Sequence, residues 1–242
     1  MKRGPEKQIA SSDLVLAWLS LSAGFTDVLT FLKLGDLFTS AMTGNVALLA
    51  IAIGRGQLVA ASRSFAALLG FSFGVAVATW INASWRGPMD VGRGFRRRLL
   101  LELVFLLAST ALWSASPDPI RGATLYAVVL LSAMSMGVQA AAARSINSSG
   151  VSTVVFTTAL IHLMTSAART LAQSATALQF LKSAGSHLST FAAYAGGAAV
   201  AGFLVSQHQS AAIWVPMIAV SAALGCSNLD SPLESQGPER GT

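Results

Sequence analysis

The chain has 242 residues, of which 53% are apolar and only 11% charged, with a mean hydropathy of +0.62. A soluble domain carries roughly a quarter charged residues, so the composition excludes one and leaves a membrane protein. Its net charge of +6 then belongs to basic connectors beside apolar spans rather than to a nucleic-acid-binding face, and its single cysteine, Cys226, excludes an intrachain disulfide.

Residues 1–13 form a basic tail with Lys2, Arg3 and Lys7, and the apolar stretch behind them is too long for a secretory signal. The transmembrane domain covers 14–229, and 230–242 is a polar tail rich in Pro and Gly. Eight apolar blocks follow one another within the domain: 14–32, interrupted by Asp27; 38–53; 64–83; 99–116, with Glu102 near its start; 122–143; 151–168, with His162; 188–206; and 211–229. About 20 apolar residues in a helix cross a bilayer, and most of the blocks approach that length. Pro117, Asp118 and Pro119 make a tight turn between the fourth and fifth. Trp18, Trp80, Trp85, Trp113 and Trp214 lie near block ends, where an aromatic belt at the headgroups would place them.

Charge decides between eight crossings and fewer. With eight, the N-terminus and Arg93, Arg96, Arg97 and Arg98 fall on opposite sides, against the bias of basic residues toward the cytoplasm. If the second and sixth blocks dip in and return, about six helices cross. The N-terminus, the arginine loop, Arg144, Arg169, Lys182 and the C-terminus then share the cytoplasmic side, leaving Lys33, Arg55, Arg63 and Arg121 outside. The expected fold is therefore an all-α polytopic transmembrane bundle with about six full crossings and two short or broken helices.

The two odd blocks also resemble each other. With Thr43 placed on Thr157, Thr39 falls on Thr153, Leu49 on Leu163 and Arg55 on Arg169, while Gly24 lies within one residue of Gly137. This register makes an internal duplication a candidate, with halves of about 14–116 and 122–229 in inverted orientation. Inverted repeats typify secondary transporters, whose sites lie near discontinuous helices.

Asp27 is the most telling residue. A carboxylate within a span costs about 2.5 to 3.5 kcal/mol on insertion scales, so it calls for protonation, a basic partner, or hydrogen bonds to groups such as Thr26, Thr43, Asn45 or Gln139. Its functional alternatives are a proton or cation coupling site or a substrate contact; its structural alternative is a packing anchor. Met42-Thr43-Gly44-Asn45 adds polar groups able to satisfy freed backbone or to hold a ligand, and packing glue is the competing role. The candidate substrate- or ion-binding set is Asp27, Thr43, Gly44, Asn45, Gln139 and Thr157, with Arg144 and His162 secondary. His162 alone on a helix suits hydrogen-bonded structure better than proton relay, and Arg144 and Arg169 suit snorkelling. Glu102, one turn from Arg98, suggests an interfacial ion pair. Gly70 with Gly74, and Ala193 with Gly197 and Ala201, are small-residue faces for helix packing or a dimer.

The segments Gly24-Phe25-Thr26-Asp27, Leu34-Gly35, Phe38, Met42-Thr43-Gly44-Asn45, Gly137-Val138-Gln139-Ala140-Ala141-Ala142-Ala143-Arg144 and Ser152-Thr153-Val154-Val155-Phe156-Thr157-Thr158 resemble the signature of the YoaK family, also known as DUF1275. The resemblance spans the chain apart from its tails and implies a bacterial inner-membrane protein of about six helices without a settled activity. Many members carry a second threonine-glycine pair where this chain has Ala159, Leu160, Ile161 and His162, which departs from a symmetric two-part site.

No P-loop, HExxH, cysteine cluster or GxSxG elbow is present, so neither an enzyme nor a resident cofactor or metal is expected. The expected function is a secondary transporter or permease for a small solute in the plasma membrane. Its partners would be the lipid bilayer and that solute, a homo-oligomer being compatible and nucleic acid not. The alternative is a non-transporting scaffold or assembly factor.

Overall fold

A computed structural model of the chain describes residues 5–84, 91–146, 153–172, 177–207 and 209–228. Every regular element among them is helical: α1 (Pro5–Leu34), α2 (Met42–Gly54), α3 (Leu58–Ala83), α4 (Val91–Ser114), α5 (Gly122–Ile146), α6 (Thr153–Ala172), α7 (Ala177–Gln207), α8 (Gln209–Ala212) and α9 (Val215–Asn228). Within α1, α3, α5 and α7, the stretches Asp13–Leu34, Leu58–Ile81, Gly122–Ser145 and His187–Gln207 are long and apolar enough to cross a membrane. α4 packs along α5 for most of its 24 residues, and the last column is α8 followed by α9. Large apolar side chains such as Phe65, Phe73, Trp80, Val104, Phe203 and Ile218 are exposed, as a lipid-facing surface requires.

Helix directions follow from the contacts. One apolar cluster joins Phe25, Leu29 and Leu34 to Trp113, Ile120, Leu125, Val205 and Ile213. The other joins Val15 and Leu19 to Phe95, Leu99, Ala142, Val220 and Ala223. The start of α1, the start of α4, the end of α5 and the end of α9 thus share one side, here the arginine side. The end of α1, the end of α4, the start of α5 and the end of α7 share the other. α4 and α5 are antiparallel, and Ser109 and Ser132 share a hydrogen bond of 2.7 Å across them.

Two crossings are so close that only glycine fits. A Cβ on Gly24 of α1 would strike the carbonyl of Tyr194 in α7, and one on Gly197 would strike the carbonyl of Leu21. The same holds for α3 and α5, where Gly74 abuts the carbonyl of Met134 and Gly137 that of Phe71. In all four contacts the carbonyl belongs to the residue three before the opposing glycine. Gly70, one turn before Gly74, repeats the contact one turn earlier on α5, at the carbonyl of Leu130. α3 and α5 are therefore parallel, as are α1 and α7. The small-residue faces expected at Gly70, Gly74, Gly197 and Ala201 are used inside this chain.

The eighth block differs from its expected form. Instead of one span over 211–229, a turn at Ile213 and Trp214 separates α8 from a 14-residue α9. Pro216 lacks the N–H that a continuing helix needs, but it is tolerated in the first turn of a new one. Trp113 also departs from the expected belt, lying buried in the core.

Candidate functional site

The polar residues between α1 and α2 fold onto one another. α1 closes in a Schellman turn: Gly35 (φ 97°) and Asp36 (φ 57°) are left-handed, and the Asp36 N–H donates to the carbonyl of Phe31 at 3.1 Å. Gly35 has a second constraint, because the Arg63 guanidinium of α3 occupies the place of a Cβ. The reversal sends residues 37–41 back along α1, where the Thr30 hydroxyl, donating to the Thr26 carbonyl at 2.8 Å, also lies 3.3 Å from the Leu37 carbonyl.

The returning strand of backbone ends at Asp27. Oδ1 accepts the N–H groups of Thr39 at 2.8 Å and Ser40 at 2.7 Å, with a longer contact from the Thr39 hydroxyl at 3.4 Å. Oδ2 accepts the hydroxyls of Ser40 at 2.6 Å and Tyr194 at 2.8 Å. Asp27 is 1% exposed, and a carboxylate offers about four acceptor sites, so this one is saturated. Asn45, completely buried, grips the preceding peptide from both sides: its Oδ1 accepts the Phe38 N–H at 2.9 Å and its Nδ2 donates to the Phe38 carbonyl at 2.6 Å. The Phe38 ring stacks on Phe31 at 5.0 Å. Its edge lies against Gly44, where a Cβ would stand 3.0 Å from the ring.

This clamp fixes the depth at which α2 begins. Asp27 lies seven residues before the end of α1, about 10 Å inside it along the axis. The 13 residues of α2 rise only about 19 Å, short of the roughly 30 Å hydrocarbon thickness. Because Arg63 in α3 reaches Gly35, α2 returns to the side on which α1 ended. The second block is thus a short helix that returns to that side, one of the two short or broken helices expected.

The structure gathers Asp27, Gly44 and Asn45 into one cluster and leaves Thr43, Gln139 and Arg144 outside it. Thr43 is exposed on the first turn of α2. Gln139 is buried on α5, donating from Nε2 to the Leu19 carbonyl at 2.8 Å, about two turns of α1 from Asp27. Arg144 is exposed at the end of α5. Thr157 and His162 belong to α6, and their side chains lie outside the described residues.

The partners of Asp27 differ from those expected. Thr26 spends its hydroxyl on the Ser22 carbonyl at 2.7 Å, Asn45 serves Phe38, and Thr39, Ser40 and Tyr194 bind Asp27 instead. Two of these bonds come from backbone N–H groups, which carry no sequence signature. Tyr194 had one: a tyrosine deep within an apolar block needs a partner for its hydroxyl. The expected ion pair between Glu102 and Arg98 is replaced by a buried Glu102 without a hydrogen-bond partner, while Arg98 Nη1 donates to the Ala141 carbonyl at 3.3 Å. Pairing would have required Glu102 at the interface, and α4 instead turns it into the core.

Lipid-facing apolar helices, glycine-tight crossings and a half-helix pinned by a buried carboxylate define a polytopic helical membrane protein. The chain belongs to the family DUF1275, whose model, described as a protein of unknown function, matches residues 15–226. It is similar to the UPF0700 transmembrane protein YoaK of Bacillus subtilis (strain 168), with 29% identity over 218 residues covering 87% of this chain and 92% of that protein. No solved structure matches it.

Proposed function

We propose that this chain is a secondary carrier for a small solute in the bacterial inner membrane, with its N-terminus and arginine side cytoplasmic. One observation carries the proposal: the parallel glycine crossings exchange partners between the two halves. If α1 corresponds to α5 and α3 to α7, as the Thr43-on-Thr157 register suggests, the first helix of each half packs on the third helix of the other. Gly24 of α1 abuts Tyr194 of α7 opposite Gly197, and Gly137 of α5 abuts Phe71 of α3 opposite Gly74. Oppositely directed halves interlocked in this way, with a half-helix starting within the bundle, suit rocking between two access states.

In this reading Asp27 anchors the half-helix rather than holding the solute, since its acceptor sites are filled. The hydroxyl of Thr43, exposed on the first turn of α2, is the group placed to meet the solute. The proposal involves no covalent chemistry, metal or resident cofactor. A scaffold or assembly factor is less well supported, because the small-residue faces that would have held its partner are occupied by α1 and α5. A homo-oligomer would need other faces, such as the exposed Phe65, Leu69 and Phe73 of α3.

A proteoliposome flux screen over a broad panel of small solutes tests the proposal. The native chain should carry at least one of them, with Thr43→Val altering the apparent affinity. No flux above protein-free vesicles for any solute would count against the carrier and in favour of the scaffold.

A further inference from the structure

Apart from Asp27, Glu102 is the acid inside the described bundle. It sits in α4 with none of its surface exposed, and neither carboxyl oxygen has a hydrogen-bond partner. Leu99 and Leu106, one turn to either side, pack with Met136, Ala142, Val220 and Ala223. A bare acceptor pair in that setting is expensive, so something on a neighbouring helix must answer it.

The α4–α5 register supplies the answer. Ser109 and Ser132 are hydrogen-bonded across the two antiparallel helices. Seven residues from each, just under two turns and so on the same face, lie Glu102 and Gln139, level with one another. The Gln139 amide is held by its 2.8 Å donation to the Leu19 carbonyl, because the flipped amide would set Oε1 against another carbonyl oxygen. Its Oε1 is therefore an acceptor, and it too is buried without a partner. The register therefore brings to one level three buried acceptor oxygens, none of which has a donor. One hydrogen resolves the conflict, carried as O–H by Glu102 and donated to Gln139 Oε1.

We propose that Glu102 and Gln139 form a proton-binding site, a neutral carboxylic acid hydrogen-bonded to a glutamine amide. A hard metal cation would take about six oxygen ligands or more, and Leu99 and Leu106, one turn to either side of Glu102, offer none. The second state of the site is also built in. Arg98, one turn nearer the arginine side, has a buried Nε without a partner. When the O–H bond of Glu102 breaks and its proton passes to water on that side, the carboxylate left behind can rotate to the Arg98 N–H. On the arginine side the charged or titratable groups are Arg93, Arg96 and Arg97 earlier on α4, Asp13 on α1, Arg144 at the exposed end of α5 and Cys226 on α9; toward the opposite side are Asp27 and Lys33 on α1, Arg63 on α3, Tyr126 on α5 and Tyr194 on α7. Of the cations, Arg98 is the one a single turn from Glu102 on the same helix face. The proton site stands on this geometry alone; its use as the coupling site rests on the carrier reading.

Infrared spectroscopy of the full chain in lipid vesicles tests the site. At neutral pH the native protein should show the C=O stretching band of a protonated carboxylic acid. The band should disappear in Glu102→Gln, persist in Asp27→Asn and shift in Gln139→Leu. Its loss on raising the pH should move to higher pH in Arg98→Gln, where the carboxylate has lost its partner. Glu102→Gln copies the shape of the neutral acid, so an unchanged thermal midpoint at neutral pH confirms that the variant is folded. A native protein without the band, or a band that survives Glu102→Gln, overturns the proton site. In proteoliposomes, Glu102→Gln should lose uptake driven by a proton gradient while keeping solute counterflow; loss of both would overturn the coupling role. Absence of flux in the native chain would remove the carrier reading and leave the infrared result to decide the proton site.

Discussion

Replacing Asp27 in graded steps tests whether its carboxylate holds the re-entrant loop. Asp27→Asn keeps an oxygen for the Thr39 and Ser40 N–H groups and turns an NH2 toward the Ser40 and Tyr194 hydroxyls. Both hydroxyls can accept, so the cost should stay near that of a single membrane hydrogen bond, about 0.6 and at most about 1.7 kcal/mol. Asp27→Leu removes every acceptor. Two obligate backbone donors are then stranded in a buried place, at about 1–3 kcal/mol each, giving a loss of about 2–6 kcal/mol before any relaxation of the loop. Tyr194→Phe, which deletes one donor and leaves the carboxylate its other bonds, should resemble the Asn variant. Reversible unfolding in mixed micelles, with helicity as the signal, can rank the three. A leucine variant as stable as the asparagine variant would mean that the backbone of residues 39–40 does not depend on Asp27, and the clamp would have to be abandoned.

Three further outcomes follow from the packing. Gly24→Leu and Gly137→Leu put side chains against backbone carbonyls and should each destabilise by about 3 kcal/mol or more, whereas Gly202→Leu and Gly225→Leu, where a Cβ meets nothing within 4 Å, should leave the unfolding midpoint close to native. Asn45→Ala leaves both main-chain polar groups of Phe38 without their partner and should cost about 2–6 kcal/mol; on the same turn, Thr43→Val should leave stability unchanged. In a Cys226→Ser background, Ser62→Cys should react with a membrane-impermeant thiol reagent from outside intact cells, and labelling only after lysis would reverse the proposed orientation.

The spans were legible in the sequence because the bilayer imposes one length on all of them, and α2 was legible as a short helix because its apolar block, 38–53, falls below that length and is polar at its start. What escaped was contact made by backbone. The Thr39 and Ser40 N–H groups reach Asp27 only because Gly35 and Asp36 reverse the chain, and no side-chain pattern records that destination. Gly24 and Gly137 were visible as matching positions, yet their partners Gly197 and Gly74 depend on which helices cross. The break before α9 was written in Pro216, within a block whose hydropathy alone suggested one continuous span. Glu102 was misplaced because proximity to Arg98 along the helix says nothing about which way α4 faces.

The duplicated register, which brings Gly24 within one residue of Gly137 but leaves Gly74 and Gly197 nine residues out of step, is not kept by the clamp. Shifting by the interval from Thr43 to Thr157 sets Ala141 opposite Asp27, Thr158 opposite Gly44 and Ala159 opposite Asn45. Neither alanine can accept a backbone N–H through its side chain, so the second half lacks the groups that pin α2. In a carrier built from inverted halves, the inward- and outward-open states arise by exchanging the roles of the halves, and perfect symmetry would make the two equal in energy. A carboxylate anchoring only one half-helix removes that equality, because Tyr194 of α7 joins the clamp through Asp27 and must leave it if the halves move apart there. Loss of this bond by Tyr194→Phe should therefore shift the resting population as well as lower stability slightly. A shift within the energy of one such bond, about 0.6 kcal/mol, corresponds to roughly a threefold change in the ratio of the two states. Comparing thiol labelling rates at Ser62→Cys with and without Tyr194→Phe measures that ratio, and equal rates would confine Tyr194 to packing.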